Sequence, residues 1–137
     1  MSVLIHATGV AISGRGVLIA GPSGAGKSDL ALRLIDRGAV LISDDQVELA
    51  AREGELQASA PERIAGMIEV RGIGLVPWQH VPTAPIALLV ELGEPERMPE
   101  HPQRELCGIS IPLAVIDPRE SSAPIKVELA LKQWGRP

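Results

Sequence analysis

Gly21-Pro22-Ser23-Gly24-Ala25-Gly26-Lys27-Ser28 fits the phosphate-loop spacing G-x-x-x-x-G-K-[ST]. Glycines at that spacing let successive backbone N–H groups turn inward on an anion, and a helix beginning near Lys27 adds its positive dipole end. Lys27 is then a solvent-reaching cation for the β- and γ-phosphates of a nucleotide, and the Ser28 hydroxyl is a ligand for Mg2+. Further on, "VLISDD" closes an apolar run with Asp44-Asp45. Adjacent residues at a strand end point in different directions. One carboxylate can therefore stand near a metal while the other faces a reaction centre. Aspartates are also common turn residues, and it is the phosphate loop in the same unit that favours the catalytic reading.

These residues need elements to hold them. The Val-, Ile- and Leu-rich stretches 2–13 and 16–20, separated by Gly14-Arg15-Gly16, read as two strands, the second feeding the loop. Residues 27–37 read as a helix, because Leu30 with Leu34 and Ala31 with Ile35 recur at spacing four, and Gly38 stands where a helix-terminating glycine belongs. The run 39–43 reads as a buried parallel strand ending at Asp44. Residues 46–60 read as a hairpin about Glu53-Gly54, and 62–74 as a charged, glycine-punctuated loop. Residues 86–92 and 107–116 read as strands, 94–105 as a polar loop, and 123–134 as a helix with Val127, Ala130, Leu131 and Trp134 on one face. The order predicts an α/β domain with a small sheet of mixed direction.

Composition narrows the class. A chain of 137 residues without repeats, low-complexity tracts or a linker reads as one domain, 1–137. Phe and Tyr are absent, and Trp78 and Trp134 are the only aromatics of that kind, so the core must be aliphatic. A formal charge of −4 and this lack of stacking surface argue against a nucleic-acid binder. A macromolecular partner is then expected to be a protein. Cys107 is the only cysteine, which excludes an internal disulfide. No secretory signal and no run of about 20 apolar residues is present, so the chain reads as soluble and cytoplasmic, with no membrane contact.

Taken together, "IHATGV", "GPSGAGKS", "LISDD" and "IEVRGIGL" resemble the catalytic domain of HPr kinase/phosphorylase, with the match running from about Ile5 to Val76. "IEVRGIG" is the specific element, since phosphate loops occur in many folds. The resemblance implies a P-loop kinase that uses ATP and Mg2+ to phosphorylate a seryl residue of the phosphocarrier protein HPr. It also implies a reverse reaction in which inorganic phosphate attacks the phosphoserine and pyrophosphate leaves. By matching position it makes His6 and Lys27 active-site residues, and Asp45 the proton acceptor forward and donor in reverse. Ser28 and Glu69 would hold Mg2+ with Asp44 beside them. Arg97 in "EPERMPE" corresponds to an arginine that stabilises charge on the transferred group. Family members form hexamers, so a homo-oligomer is a possible assembly.

The chain departs from that pattern in three places. "IHATGV" begins almost at residue 1, so the family's large N-terminal domain is expected to be missing, as in short single-domain forms. After "IEVRGIGLV" it reads "PWQHVPTAP", and its C-terminal "IDPRESSAP" keeps Arg119 but not the family's arginine loop. Because that loop serves phosphorolysis, the kinase direction is expected to dominate, with Arg119 the candidate replacement cation for the reverse reaction. A GTPase is set aside, since the guanine-reading motif N/T-K-x-D does not occur. A small-molecule kinase and a nucleotide-binding regulatory module without turnover remain alternatives.

Overall fold

The computed structural model describes residues 2–100 and 102–137. These form β1 (Ser2–Ile5), β2 (Ala7–Ile12), β3 (Arg15–Ala20), α1 (Lys27–Asp36), β4 (Val40–Ser43), β5 (Val47–Arg52), β6 (Glu55–Ser59), β7 (Met67–Val70), β8 (Gly74–Pro77), β9 (Ala84–Leu92), β10 (Gln103–Leu106), β11 (Ile109–Ile116) and α2 (Ala123–Trp134). The architecture is the α/β arrangement with a mixed sheet that the sequence order implies.

Nine strands join one curled sheet in the order β1-β5-β6-β9-β3-β2-β4, with β11 added beside β9 and β10 beside β11. β3, β9 and β11 run parallel, and the remaining pairs are antiparallel. β9 divides the sheet: its first residues pair with β6 (Ala58↔Ala84), while its second half pairs with β11 (Leu113↔Leu89). Both faces of the central strands are consequently buried. On β3, Val17 and Ile19 enter a core with Leu30 and Leu34 of α1 and Val127 and Leu131 of α2. Leu18 enters a second core with Ile42, Leu49, Leu56 and Ile111. The alternation follows the period of two along a strand, and both cores are aliphatic, as the missing Phe and Tyr require.

Gly16 shows how tightly β3 meets β9. A Cβ there would lie 2.7 Å from Ile86 Cδ1 and 2.9 Å from the Pro85 carbonyl oxygen. The side-chain end could shift, but the backbone oxygen cannot move without displacing β9. Gly16→Ala is expected to cost about 1–3 kcal/mol. Urea unfolding should show a lower midpoint with an unchanged slope.

Five parts of the structure differ from the sequence reading. β4, expected as a parallel strand, pairs antiparallel with β2 (Val10↔Leu41), because β2 of the β2–β3 hairpin inserts between β3 and β4. The stretch 2–13 is two strands: the chain bends at His6, Ile5 pairs with Val47 on β5, and Ala7 pairs with Ala20 on β3. Continuous β-propensity cannot report such a change of partner. Residues 67–74, part of the stretch 62–74 expected as loop from its glycines, enter the β7–β8 hairpin, which runs on to Pro77 with Val70↔Gly74 closing it. Gly72 and Gly74, at φ 89° and 113°, make the turn that the glycines allow. β10 falls within the expected polar loop, and β11 begins at Ile109, because Cys107 and Gly108 at φ 52° and 79° form the tight turn between them. Cysteine is a weak turn signal. The hairpin about Glu53-Gly54 and both helices match their expected places, with α1 ending at Asp36.

Candidate functional site

β3 ends at Ala20, and the phosphate loop spans the gap to α1. Gly24 and Gly26 hold φ of 83° and 107°, which side chains disfavour, and the Gly26 carbonyl accepts the first helical hydrogen bond, from Leu30 N–H at 2.9 Å. The sequence reading takes Lys27 as solvent-reaching. Its side chain instead folds over the loop, at 5% exposure, and Nζ donates to the carbonyl oxygens of Gly21 (2.8 Å) and Pro22 (3.1 Å). An ammonium facing two neutral carbonyls can exchange them for anionic oxygens at little cost.

The two aspartates separate as expected. Asp44 is 7% exposed and its carboxylate gathers three elements. Oδ1 accepts from the Ser28 hydroxyl of α1 at 2.6 Å and from the Thr8 hydroxyl of β2 at 3.1 Å, and Oδ2 accepts from the Glu69 N–H of β7 at 2.9 Å. Asp45 adopts φ 68°, an uncommon conformation for a residue with a side chain. Its N–H donates to Thr8 Oγ1 at 3.1 Å, and this twist sends its carboxylate away from Asp44. Asp45 Oδ1 lies 2.6 Å from His6 Nε2, with both side chains well exposed. The bend at His6 that breaks β1 from β2 is therefore what brings the imidazole to the aspartate.

One cavity of about 760 Å3 takes in the loop (Ser23, Gly24, Gly26, Lys27, Ser28), both aspartates and Glu69. Its cations besides Lys27 are Arg63 and Arg71. Arg97 is not in its lining; it lies exposed in the segment after β9, which leaves the same end of the sheet as the loop, since Ala20 pairs with Glu91. Arg119 is also outside the cavity. Its guanidinium is held by Asp117 (Nε to Oδ1 3.1 Å, Nη2 to Oδ2 3.0 Å), so it does not stand as the cation beside Asp45 that the sequence reading expects. Hydrogen bonding from the Arg119 side chain, and then from its backbone N–H, holds the Asp117 carboxyl below the usual carboxylate range.

Among the described residues no group of three or more His, Cys, Asp or Glu stands ready to cage a metal. Magnesium does not require one, because it keeps water and phosphate oxygens and takes one or two protein oxygens. Ser28 Oγ and Asp44 Oδ1 are adjacent, both oxygen donors on the cavity wall, with the Glu69 carboxylate on the same cavity. The donor set fits that ion. Sequence reasoning missed Thr8, whose buried hydroxyl links Asp44 to the Asp45 backbone, and Arg63, which donates to Gln46 Oε1 at 2.7 Å. Neither carries a local signal; their roles arise from strands that meet across the fold.

The HPr Serine kinase C-terminal domain family model matches residues 1–117. The HPr kinase/phosphorylase of Caldicellulosiruptor bescii is 38% identical over 91% of this chain, which covers 45% of that protein. The HPr kinase/phosphorylase of Clostridium botulinum is 50% identical over 53% of this chain and 24% of its own length. The chain thus spans less than half the length of these relatives. The structure of the Hpr(Ser) kinase/phosphatase from Coxiella burnetii superposes with a TM-score of 0.82 at 30% identity, covering 94% of this chain and 93% of that one. No helix among the described residues is long and apolar enough to cross a membrane.

Proposed function

Because the chain belongs to the HPr kinase/phosphorylase family, we propose that it is a Mg2+-dependent protein serine kinase that transfers the γ-phosphoryl group of ATP to a seryl residue of HPr. Residues 1–137 act as one catalytic domain in this reading, working in the cytoplasm, where its phosphocarrier partner is found. The observation that carries it is the division between the aspartates: Asp44 is buried and hydrogen-bonded to Ser28, Thr8 and the Glu69 N–H, whereas Asp45 is exposed in the cavity and paired with His6. A seryl hydroxyl attacking phosphorus needs a carboxylate to take its proton, and Asp45 is free to do so.

In the forward direction the seryl oxygen bonds to the γ-phosphorus as its proton passes to Asp45, and the bond to the bridging oxygen of ADP breaks. Lys27 leaves the Gly21 and Pro22 carbonyls to neutralise the phosphates, and the loop N–H groups hold them in line. Ser28, Asp44 and Glu69 would hold Mg2+, which neutralises phosphate charge when bound. His6 orients the Asp45 carboxylate and stabilises its charge. In reverse, inorganic phosphate attacks the phosphoserine and Asp45 returns its proton to the departing serine oxygen. Arg97, on the segment leaving the same end of the sheet, is the candidate for the charge on the transferred group.

The test is transfer of labelled γ-phosphate to purified HPr, followed by identification of phosphoserine. Label on HPr serine, dependent on Mg2+, is the expected result. Label on a small molecule would favour the small-molecule kinase, and nucleotide binding without transfer would favour a regulatory module.

A further inference from the structure

The phosphate loop has a second side. A cleft of about 410 Å3, lined by Ala25, Gly26, Asp29, Arg33, Pro118 and Arg119, runs between the loop and the turn joining β11 to α2. Its size falls in the range of about 300–1,000 Å3 typical of small-molecule sites. It shares Gly26 and Asp29 with the cavity that holds Asp44, Asp45 and Glu69, and no other residue. The turn is fixed to α1 by Arg33, which donates to the Pro118 carbonyl at 2.7 Å and the Glu120 carbonyl at 3.2 Å. The cleft therefore has two firmly connected walls.

A nucleoside triphosphate is an extended chain of groups. With its γ-phosphorus at Asp45 and its phosphates in the loop, its other end must emerge away from the aspartates. The first turn of α1, from Gly26 to Asp29, is where the two clefts meet. The far wall offers Arg119, whose planar guanidinium is locked edge-on by Asp117 through Nε and Nη2 while its side chain stays 77% exposed. Such a fork-to-carboxylate pair occupies the edge of the guanidinium and leaves its faces open. On the opposite wall Arg33 Nε stands 3.1 Å from Asp29 Oδ2, so the two charged side chains of that wall are paired with each other. No aromatic side chain lines the cleft, so the Arg119 face is its stacking surface.

We propose that this cleft receives the nucleoside of the donor nucleotide, with its base stacked on the Arg119 guanidinium. The assignment rests on the reading of the neighbouring cavity as the donor-phosphate site. It gives the C-terminal turn a task in donor binding, separate from the phosphoryl-transfer chemistry at Asp45.

Calorimetric titration of the full chain with ATP and with inorganic tripolyphosphate, both in Mg2+, separates the two readings. Arg119→Ala should weaken ATP binding about five- to tenfold, as loss of a cation–π contact does, and leave tripolyphosphate binding unchanged. Arg119→Lys keeps the charge but loses the planar face, and should behave like the alanine variant. Equal weakening of both ligands, no weakening of ATP, or full recovery with lysine would overturn the stacking assignment while leaving the phosphate loop intact. If neither ligand binds the wild type, the phosphate-site reading fails, and this one falls with it.

Discussion

Lys27→Ala should reduce phosphoryl transfer by about 10²–10³-fold or more, because it removes the cation nearest the developing charge on the phosphates. The fold should survive. Lys27 Nζ donates to two loop carbonyls that border an open cavity, so water can replace it and the loss is about 1 kcal/mol. Rates of transfer to HPr and a thermal unfolding curve check the two halves together. A variant with near wild-type rate would refute the phosphate-loop assignment. A variant that is unfolded would mean that the buried ammonium is structural.

Asp45→Asn should remove transfer in both directions by about 10²–10⁴-fold, the range of lost acid–base assistance, while Mg2+·ATP still binds. The amide cannot take the seryl proton, yet it keeps the size of the side chain. Asp44→Asn should behave differently. Its carboxylate accepts from Ser28, Thr8 and Glu69, and an amide nitrogen in place of one oxygen sets donor against donor. That conflict is expected to cost about 1–3 kcal/mol of stability and to raise the Mg2+ concentration needed for activity. Mg2+ titrations of both variants, with nucleotide affinity and unfolding measured alongside, distinguish the two roles. Matching phenotypes would refute the separation of proton transfer from metal support.

The sequence by itself determined the parts whose information is local. The glycines of the phosphate loop, the spacing of Lys27 and Ser28 behind them, and the four-residue stripe of α1 are all set within one turn or one loop. Alternation and glycine position likewise specified the Glu53-Gly54 hairpin, and "LISDD" marked the strand end where a carboxylate belongs. Tertiary structure decided where these parts meet. Residues 2–13 look like one strand because β-propensity carries no record of which neighbour a residue pairs with; the bend at His6, and hence its contact with Asp45, follows from β1 joining β5 while β2 joins β3. Thr8 became part of the site only when β2 lay beside the end of β4. Arg119 shows the same limit from the other side. As a lone cation in a polar stretch it could serve any nearby anion, but its pairing with Asp117 and its position across the loop from Asp45 fix it to the second cleft. Charge and hydrogen-bonding capacity are properties of a residue, whereas the group that meets them is a property of the packed chain.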